Sequence, residues 1–185
     1  VSGFCDILLG SGLPEEAALW KWLEAQKEKP RSRFHIWLMH YAPFADAPDE
    51  PHWDIADPEQ YFQWYFCVDQ SSRDRLMDVF KATGATRVIS GHIHRRRHVV
   101  AEGIHFDFAP ATSKAQWAGH WPDGDGTLGF LRYHVGEDEM TCEVIPLERV
   151  STRTDGYGPP GHPKPEARDY SLAWEPLDTS EASSN

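Results

Sequence analysis

Residues 86–97 read TRVISGHIHRRR, a short apolar run followed by glycine, two alternating histidines and three arginines. The first five of these residues have the character of a buried strand. Open α/β sheets form ligand crevices beyond the carboxyl ends of their strands, and His92 and His94 fall at such an end. We expect Gly91 to let the backbone turn there, because glycine adopts conformations that other residues avoid. The stretch therefore predicts a ligand site.

A third histidine lies in a matching context. The stretch RFHIWLMH (33–40) is flanked by prolines and also reads as a buried strand, which ends at His40. If the two strands are parallel neighbours, their ends bring His40 beside His92 and His94. An isolated His-x-His pair is more often ordinary polar structure, although neutral imidazole is a frequent ligand for zinc, iron and nickel. The third histidine favours metal binding.

Two helices are predicted outside these strands. Residues 13–29 form an amphipathic helix with Trp22 on its apolar face. Residues 72–82 form a second helix, which a capping box at Ser71 begins and Gly84 ends. Each helix has an apolar face that requires a partner, so both are expected to lie on a sheet.

Two pairs of consecutive strands follow the histidine motif. The first pair turns at 102–103 and the second at 136–138, where glycine and acidic residues interrupt alternating apolar sequence. Alternating helices and strands followed by consecutive strands predict an α/β fold with a mixed sheet layered by helices.

The length suits one domain, which we place at residues 1–150. Residues 42–70 are rich in proline, aspartate and aromatic residues, so a lid or insertion is expected there. Residues 151–185 have the composition of an extended or disordered tail. The chain opens with valine in mid-pattern, which suggests a sequence entered part-way through.

Composition excludes several classes of partner. The formal net charge of −11 argues against binding to nucleic-acid backbones or anionic membranes, and no apolar run is long enough to cross a membrane. A small phosphoester is still compatible, because local cations can reverse the field within a cleft. The three cysteines are widely spaced and form no CxxC pair, which favours a reducing compartment such as the cytoplasm.

Two segments carry a resemblance to a known family. WLMHYAPF (37–44) and VISGHIHRRR (88–97), with a helix between them, resemble the last two motifs of the calcineurin-like metallophosphoesterase superfamily. SGLPEEAALWKWLEAQ (11–26) is similar to the helix that precedes those motifs, and GFLRYHV (129–135) to a strand that closes the fold. EGIHFDFAPATS (102–113) also resembles cyclic-nucleotide phosphodiesterase members of the superfamily.

The resemblance implies an αββα sandwich that holds two metal ions at strand ends. His40 and His92 would bind one ion and His94 the other, and the ions would be divalent or trivalent metals of the manganese, iron or zinc class. Two ions about 3.5–4 Å apart stabilise both the attacking and the leaving oxygen of an in-line displacement. The implied activity is hydrolysis of a phosphomonoester or phosphodiester. No catalytic acid and no substrate-binding residue is assigned.

The chain also departs from the family pattern. The Asp-x-His, Gly-Asp and Gly-Asn-His motifs that supply oxygen ligands earlier in the family are missing; the one Gly-Asp, Gly124-Asp125, follows the histidines, and the one asparagine is Asn185. We interpret the chain as the C-terminal half of a metallophosphoesterase and expect it to be inactive alone. The alternative hypothesis is a non-catalytic remnant that serves as a binding or interaction module.

The remaining candidates have ordinary explanations beside functional ones. The arginines at 95–97 could hold a substrate phosphate, but a solvated turn is favoured for at least two of them. His98 and His105 fall in predicted strands and are expected to be structural. Cys67 and Cys142 are expected to be small core residues.

Overall fold

The computed structural model describes residues 2–3, 11–51, 65–113 and 123–150. Helix α1 spans Pro14–Ala25 and continues as a 3-10 turn over Gln26–Glu28, and helix α2 spans Gln70–Thr83. The strands are β1 (Ser2–Gly3), β2 (His35–Leu38), β3 (Ala85–Ser90), β4 (Arg97–Ala101), β5 (Ile104–Phe108), β6 (Gly129–Val135) and β7 (Met140–Pro146). Both predicted strand pairs are present as hairpins, and β1 had not been predicted.

The main sheet has the strand order β1-β2-β3-β5-β4. Strands β1, β2, β3 and β5 run parallel, and β4 pairs with β5 antiparallel. Trp37, Val88 and Phe106 stand in register across β2, β3 and β5 and are buried in the core. The Trp37 ring lies 5.5 Å from the ring of Phe80 on α2. The fold is therefore mixed α/β, as predicted, with its helices packed on this face.

The opposite face of the sheet carries the β6–β7 hairpin. Tyr133 of β6 donates a hydrogen bond of 2.7 Å to Asp107 of β5. Burial alone would raise the pKa of Asp107, but hydrogen bonds from Arg87, Tyr133 and His98 outweigh it and lower this pKa. On the same face Leu38 remains 42% exposed. The hairpin thus covers only part of this face.

Two local predictions about the helices were wrong in detail. The cap of α2 is Asp69, whose carboxylate accepts a 3.0 Å hydrogen bond from the backbone N–H of Ser71, so the helix begins before the predicted capping box. Gly84 does end the helix, in the left-handed conformation. On α1 the buried tryptophan is Trp20, whereas Trp22 is 38% exposed.

The predicted lid, residues 42–70, begins and ends in the core. Ala42 and Cys67 form a parallel bridge, and the backbone N–H of Val68 donates to the Ala42 carbonyl at 3.0 Å. Phe44 is fully buried, so the start of the segment is core rather than lid. Residues 52–64 lie outside the described residues.

A buried ion pair holds the start of this segment against α2. Arg73, fully buried, donates a 3.0 Å hydrogen bond to the Glu50 carboxylate, which also accepts hydrogen bonds of 2.8 and 2.7 Å from the backbone of Ala45 and Asp46. The Glu50 carboxylate is therefore held by groups that the fold itself fixes in place.

The chain divides into two units, Val1–Leu147 and Glu148–Asn185. Residues 151–185, the predicted tail, lie outside the described residues. None of the described helices is both long and apolar enough to cross a membrane.

Replacing Glu50 by glutamine leaves the Arg73 charge buried without a counterion. Loss of one partner of a buried pair costs about 3–5 kcal/mol, so we expect Glu50→Gln to lower the free energy of unfolding by about that amount, as measured by urea denaturation. Glu24→Gln is the matched control, because Glu24 pairs with Lys27 and Arg75 at the surface. Its cost should stay below about 1 kcal/mol. Equal losses in both variants would contradict the assigned role of the pair.

Candidate functional site

The predicted histidines lie where parallel strands end. β2, β3 and β5 point the same way, so the residues that follow them meet at one edge of the sheet. Backbone pairing continues beyond the strands: Met39 N–H donates to the Ile89 carbonyl at 3.1 Å, and Gly91 N–H donates to the His40 carbonyl at 3.0 Å. These two bonds fix the backbone on either side of the histidine contact.

His40 and His92 are in direct contact. His40 Nε2 and His92 Nδ1 are 3.1 Å apart, and His92 Nε2 is 3.2 Å from the Tyr65 carbonyl oxygen. A carbonyl only accepts hydrogen bonds, so Nε2 of His92 carries the proton of the neutral ring. The Nδ1 lone pair of His92 is then directed toward His40.

Aromatic rings surround His92 and keep it neutral. The ring centroid of Tyr41 lies 4.1 Å away, that of Tyr65 5.2 Å and that of Phe66 5.3 Å. Desolvation by burial, with smaller effects from His40 and His94, lowers the pKa of His92 to about 4. Tyr65 and Phe66 are the described end of the predicted lid, and they border the histidines.

His94 lines the same cleft as His40 and His92. The backbone between the two histidines of GHIH is not extended, because φ is 64° at His92 and 52° at His94. Positive φ is uncommon outside glycine and often marks functional sites. The prediction for Gly91 was wrong: the left-handed conformation falls on the histidines, and a Cβ at Gly91 would meet nothing closer than the His40 carbonyl oxygen at 3.8 Å.

The cleft next to the histidines has a volume of about 560 Å³. Its apolar wall includes Leu38 and Phe130, which are 42% and 50% exposed. Thr112 and Ser113, which follow β5, add hydroxyl groups. Sequence reasoning missed these two residues, although their position after a strand parallel to β3 was the available signal.

The structure thus brings the three predicted metal ligands to one cleft. Within residues 11–51, 65–113 and 123–150, no three His, Cys, Asp or Glu side chains are grouped closely enough to hold an ion. The donors at the cleft are imidazole nitrogens, which suit zinc-class and iron-class ions. The described residues fit one part of a metal site, and their metal role stays a prediction.

The three arginines that follow the histidines bind protein groups. Arg95 donates a 2.5 Å hydrogen bond to the Gly124 carbonyl, Arg96 pairs with Asp125, and Arg97 donates to both Asp123 oxygens at 2.9 and 3.1 Å. The Arg96 guanidinium lowers the pKa of Asp125 to about 2. Arg95 and Arg97 are buried, so the predicted solvated turn is wrong for these two residues. The three arginines instead form a clamp on residues 123–125.

Gly124 is the residue around which this clamp closes. A Cβ on Gly124 would lie 2.5 Å from the Arg96 carbonyl oxygen and 2.5 Å from Arg97 Cγ. The backbones of Arg96 and Asp125 bond to each other in both directions, at 3.1 and 2.9 Å, so the carbonyl cannot move away without breaking this bridge. The Gly-Asp dipeptide therefore has a packing role here.

Two alanine substitutions test the clamp. Overpacking typically costs about 1–3 kcal/mol, so we expect Gly124→Ala to lower the free energy of unfolding by at least that much. Gly91→Ala meets only ordinary contacts and should change the free energy of unfolding by less than about 0.5 kcal/mol. Thermal and urea denaturation of both variants measures the difference. Similar stabilities for both variants would contradict the close approach at Gly124.

Comparison with known proteins assigns no family. No family model and no curated protein matches the sequence. Among solved structures, the chain is similar to GAP50, the anchor in the inner membrane complex of Plasmodium, at 11% identity and a TM-score of 0.48, over 78% of this chain and 44% of that one. It is also similar to a Vps29 single mutant from Entamoeba histolytica, at 10% identity and a TM-score of 0.26, over 78% of this chain and 97% of that one. The chain therefore spans less than half the length of the GAP50 chain, and neither likeness is close enough to establish kinship.

Proposed function

We propose that this chain supplies the histidine side of a metal centre that hydrolyses phosphoesters. The observation that carries the proposal is the 3.1 Å separation of His40 Nε2 and His92 Nδ1 at the ends of two parallel strands. Two nitrogens that bind one ion at about 2.0–2.1 Å lie ~2.8–3.4 Å apart for bond angles of ~90–110°. The separation in this chain falls within that range.

The hydrogen bond on the far side of His92 supports the same role. Histidines that bind metals almost always donate their other ring N–H to a carbonyl, carboxylate or water, which fixes the tautomer. His92 makes this bond to the Tyr65 carbonyl. Its Nδ1 is thereby held as a lone-pair donor facing His40, and its lowered pKa keeps it available at neutral pH.

A bound ion of the manganese, iron or zinc class would supply Lewis acidity toward a phosphoryl oxygen. His40 and His92 would position one such ion, and His94 faces the same cleft for a second. Because neutral imidazoles bring no negative charge, carboxylate ligands must come from outside the described residues. The family motifs that would supply those carboxylates are missing from the sequence, so the chain alone is proposed to be inactive toward phosphoesters.

The cleft supports a small phosphoester as substrate. Leu38 and Phe130 offer apolar surface to the organic group, and the hydroxyls of Thr112 and Ser113 can donate hydrogen bonds to phosphate oxygens. The exposed Leu38 also supports the finer fold proposal, an αββα sandwich of the metallo-dependent phosphatase type with its C-terminal half in this chain. A second sheet would cover the face on which Leu38 lies.

One observation favours the alternative, a non-catalytic binding module. The described residues group no three side chains for an ion, yet they form a cleft with exposed apolar walls. Such a cleft can bind an organic ligand or a partner without metal. Metal binding at the histidine pair separates the two proposals.

The test is an imidazole ¹⁵N NMR spectrum of the purified chain with and without Zn²⁺. We expect His92 to show a protonated Nε2 before addition, and its Nδ1 and the Nε2 of His40 to shift together on addition. In His40→Ala, the same shift at His92 should require at least tenfold more zinc. His134→Ala is the control, because His134 is an exposed residue that pairs with Glu143 on the hairpin. A spectrum in which zinc leaves both rings unchanged would favour the binding module.

Activity is tested separately with an aryl phosphate and an aryl phosphodiester in the presence of Mn²⁺ or Zn²⁺. We expect no turnover by residues 1–185 alone. Metal-dependent turnover that disappears in His92→Ala would show that carboxylates outside the described residues complete the site within this chain.

A further inference from the structure

A second pair of histidines meets on the β4–β5 hairpin. His98 on β4 stands opposite Asp107 on β5, and Val100 stands opposite His105, so the two histidines are diagonal neighbours on one face. His98 Nε2 and His105 Nδ1 are 3.3 Å apart, and their ring centroids are 5.2 Å apart. Sequence reasoning had assigned both residues a structural role.

A buried carboxylate fixes the orientation of the first ring. His98 Nδ1 lies 2.6 Å from Asp107 Oδ1, and an ionised carboxylate only accepts, so Nδ1 carries the proton and Nε2 of the neutral ring has the lone pair. Asp107 is only 4% exposed and is itself held by Arg87 and by the Tyr133 hydroxyl at 2.7 Å. The carboxylate–imidazole pair has the arrangement that orients metal-binding histidines.

The nitrogen separation matches that of two ligands on one ion. Nitrogens bound tetrahedrally at about 2.0–2.1 Å lie ~3.3–3.4 Å apart. The His98 side chain is 47% exposed, so an ion and its water ligands can reach it. The pair borders a cleft of about 300 Å³, which leaves room for those waters.

We propose that His98 and His105 form a binding site for one transition-metal ion of the zinc, nickel or copper class, with Asp107 as the positioning residue. Imidazole nitrogens select these ions over magnesium and calcium. With two ligands from the described residues and water in the remaining positions, the ion exchanges readily. This site uses other residues than the proposed phosphoesterase site and does not depend on it.

The charges around the pair permit a cation. Three arginines line the same cleft, and each is neutralised by a carboxylate: the pairs are Arg87–Asp107, Arg96–Asp125 and Arg97–Asp123. Desolvation, with smaller effects from Arg87 and His98, lowers the pKa of His105, so its ring is neutral when a metal arrives. His105 is therefore in the form that binds metal.

The test is paramagnetic broadening of backbone amide signals by Cu²⁺ added alone to the purified chain. We expect broadening centred on residues 97–108 in the wild type, and the same broadening in His92→Ala, which lacks one histidine of the other site. In His105→Gln and in His98→Gln the broadening should require at least tenfold more copper. The His134→Gln control should behave as the wild type. Spectra recorded without metal establish that each variant is folded.

Three results would overturn the proposal. The first is an absence of broadening at 97–108 with millimolar copper in the wild type. The second is broadening at 97–108 that persists unchanged in both folded glutamine variants. The third is loss of broadening at 97–108 in His92→Ala, which would assign the copper to the other pair. Failure of this site leaves the zinc response of His40 and His92 untouched, so the two proposals fail separately.

Discussion

The parallel pairing of β2 with β3 is the constraint on which the site depends. The pairing extends beyond the strands through backbone hydrogen bonds from Met39 to Ile89 and from Gly91 to His40. His40, a residue of the site, is thus itself the last paired residue after β2. Main-chain geometry, rather than side-chain packing, therefore sets the distance between His40 and His92. The imidazoles need only choose rotamers to meet, and the aromatic rings around His92 restrict that choice.

Arginine has a structural role in this acidic protein. The chain has a formal net charge of −11, yet Arg73, Arg87, Arg95 and Arg97 are all buried. Arg73 binds Glu50 of an irregular segment, and Arg87 binds Asp107 on the neighbouring strand. Arg95 and Arg97 bind the segment that contains Asp123 and Gly124. Loops without regular secondary structure are thereby ordered by directional bonds, where an apolar contact would allow sliding.

The elements that the sequence predicts well are those that local pattern determines. TRVIS and HIWL are short apolar runs, and the turn at Glu102-Gly103 contains a glycine, which is suited to positive φ, so the strands and the hairpin followed from neighbouring residues alone. The roles of the arginines at 95–97 could not be predicted in this way, because their partners lie 26–29 positions away in sequence. The contact of His98 with His105 depends on strand register, which the sequence does not specify. Ile93, between the two left-handed histidines, is fully buried, and its burial likewise depends on tertiary packing.

The left-handed backbone at His92 and His94 restricts how these positions can change over evolutionary time. Glycine, asparagine and aspartate tolerate this conformation, whereas β-branched residues pay a steric penalty there. A lineage that stops using the imidazoles would drift toward those three residues rather than toward valine or isoleucine. Aspartate at position 92 or 94 differs from glycine and asparagine, since it would replace a nitrogen donor by an anionic oxygen donor at the same place. The backbone thus biases this cleft toward polar side chains even where selection for histidine is relaxed.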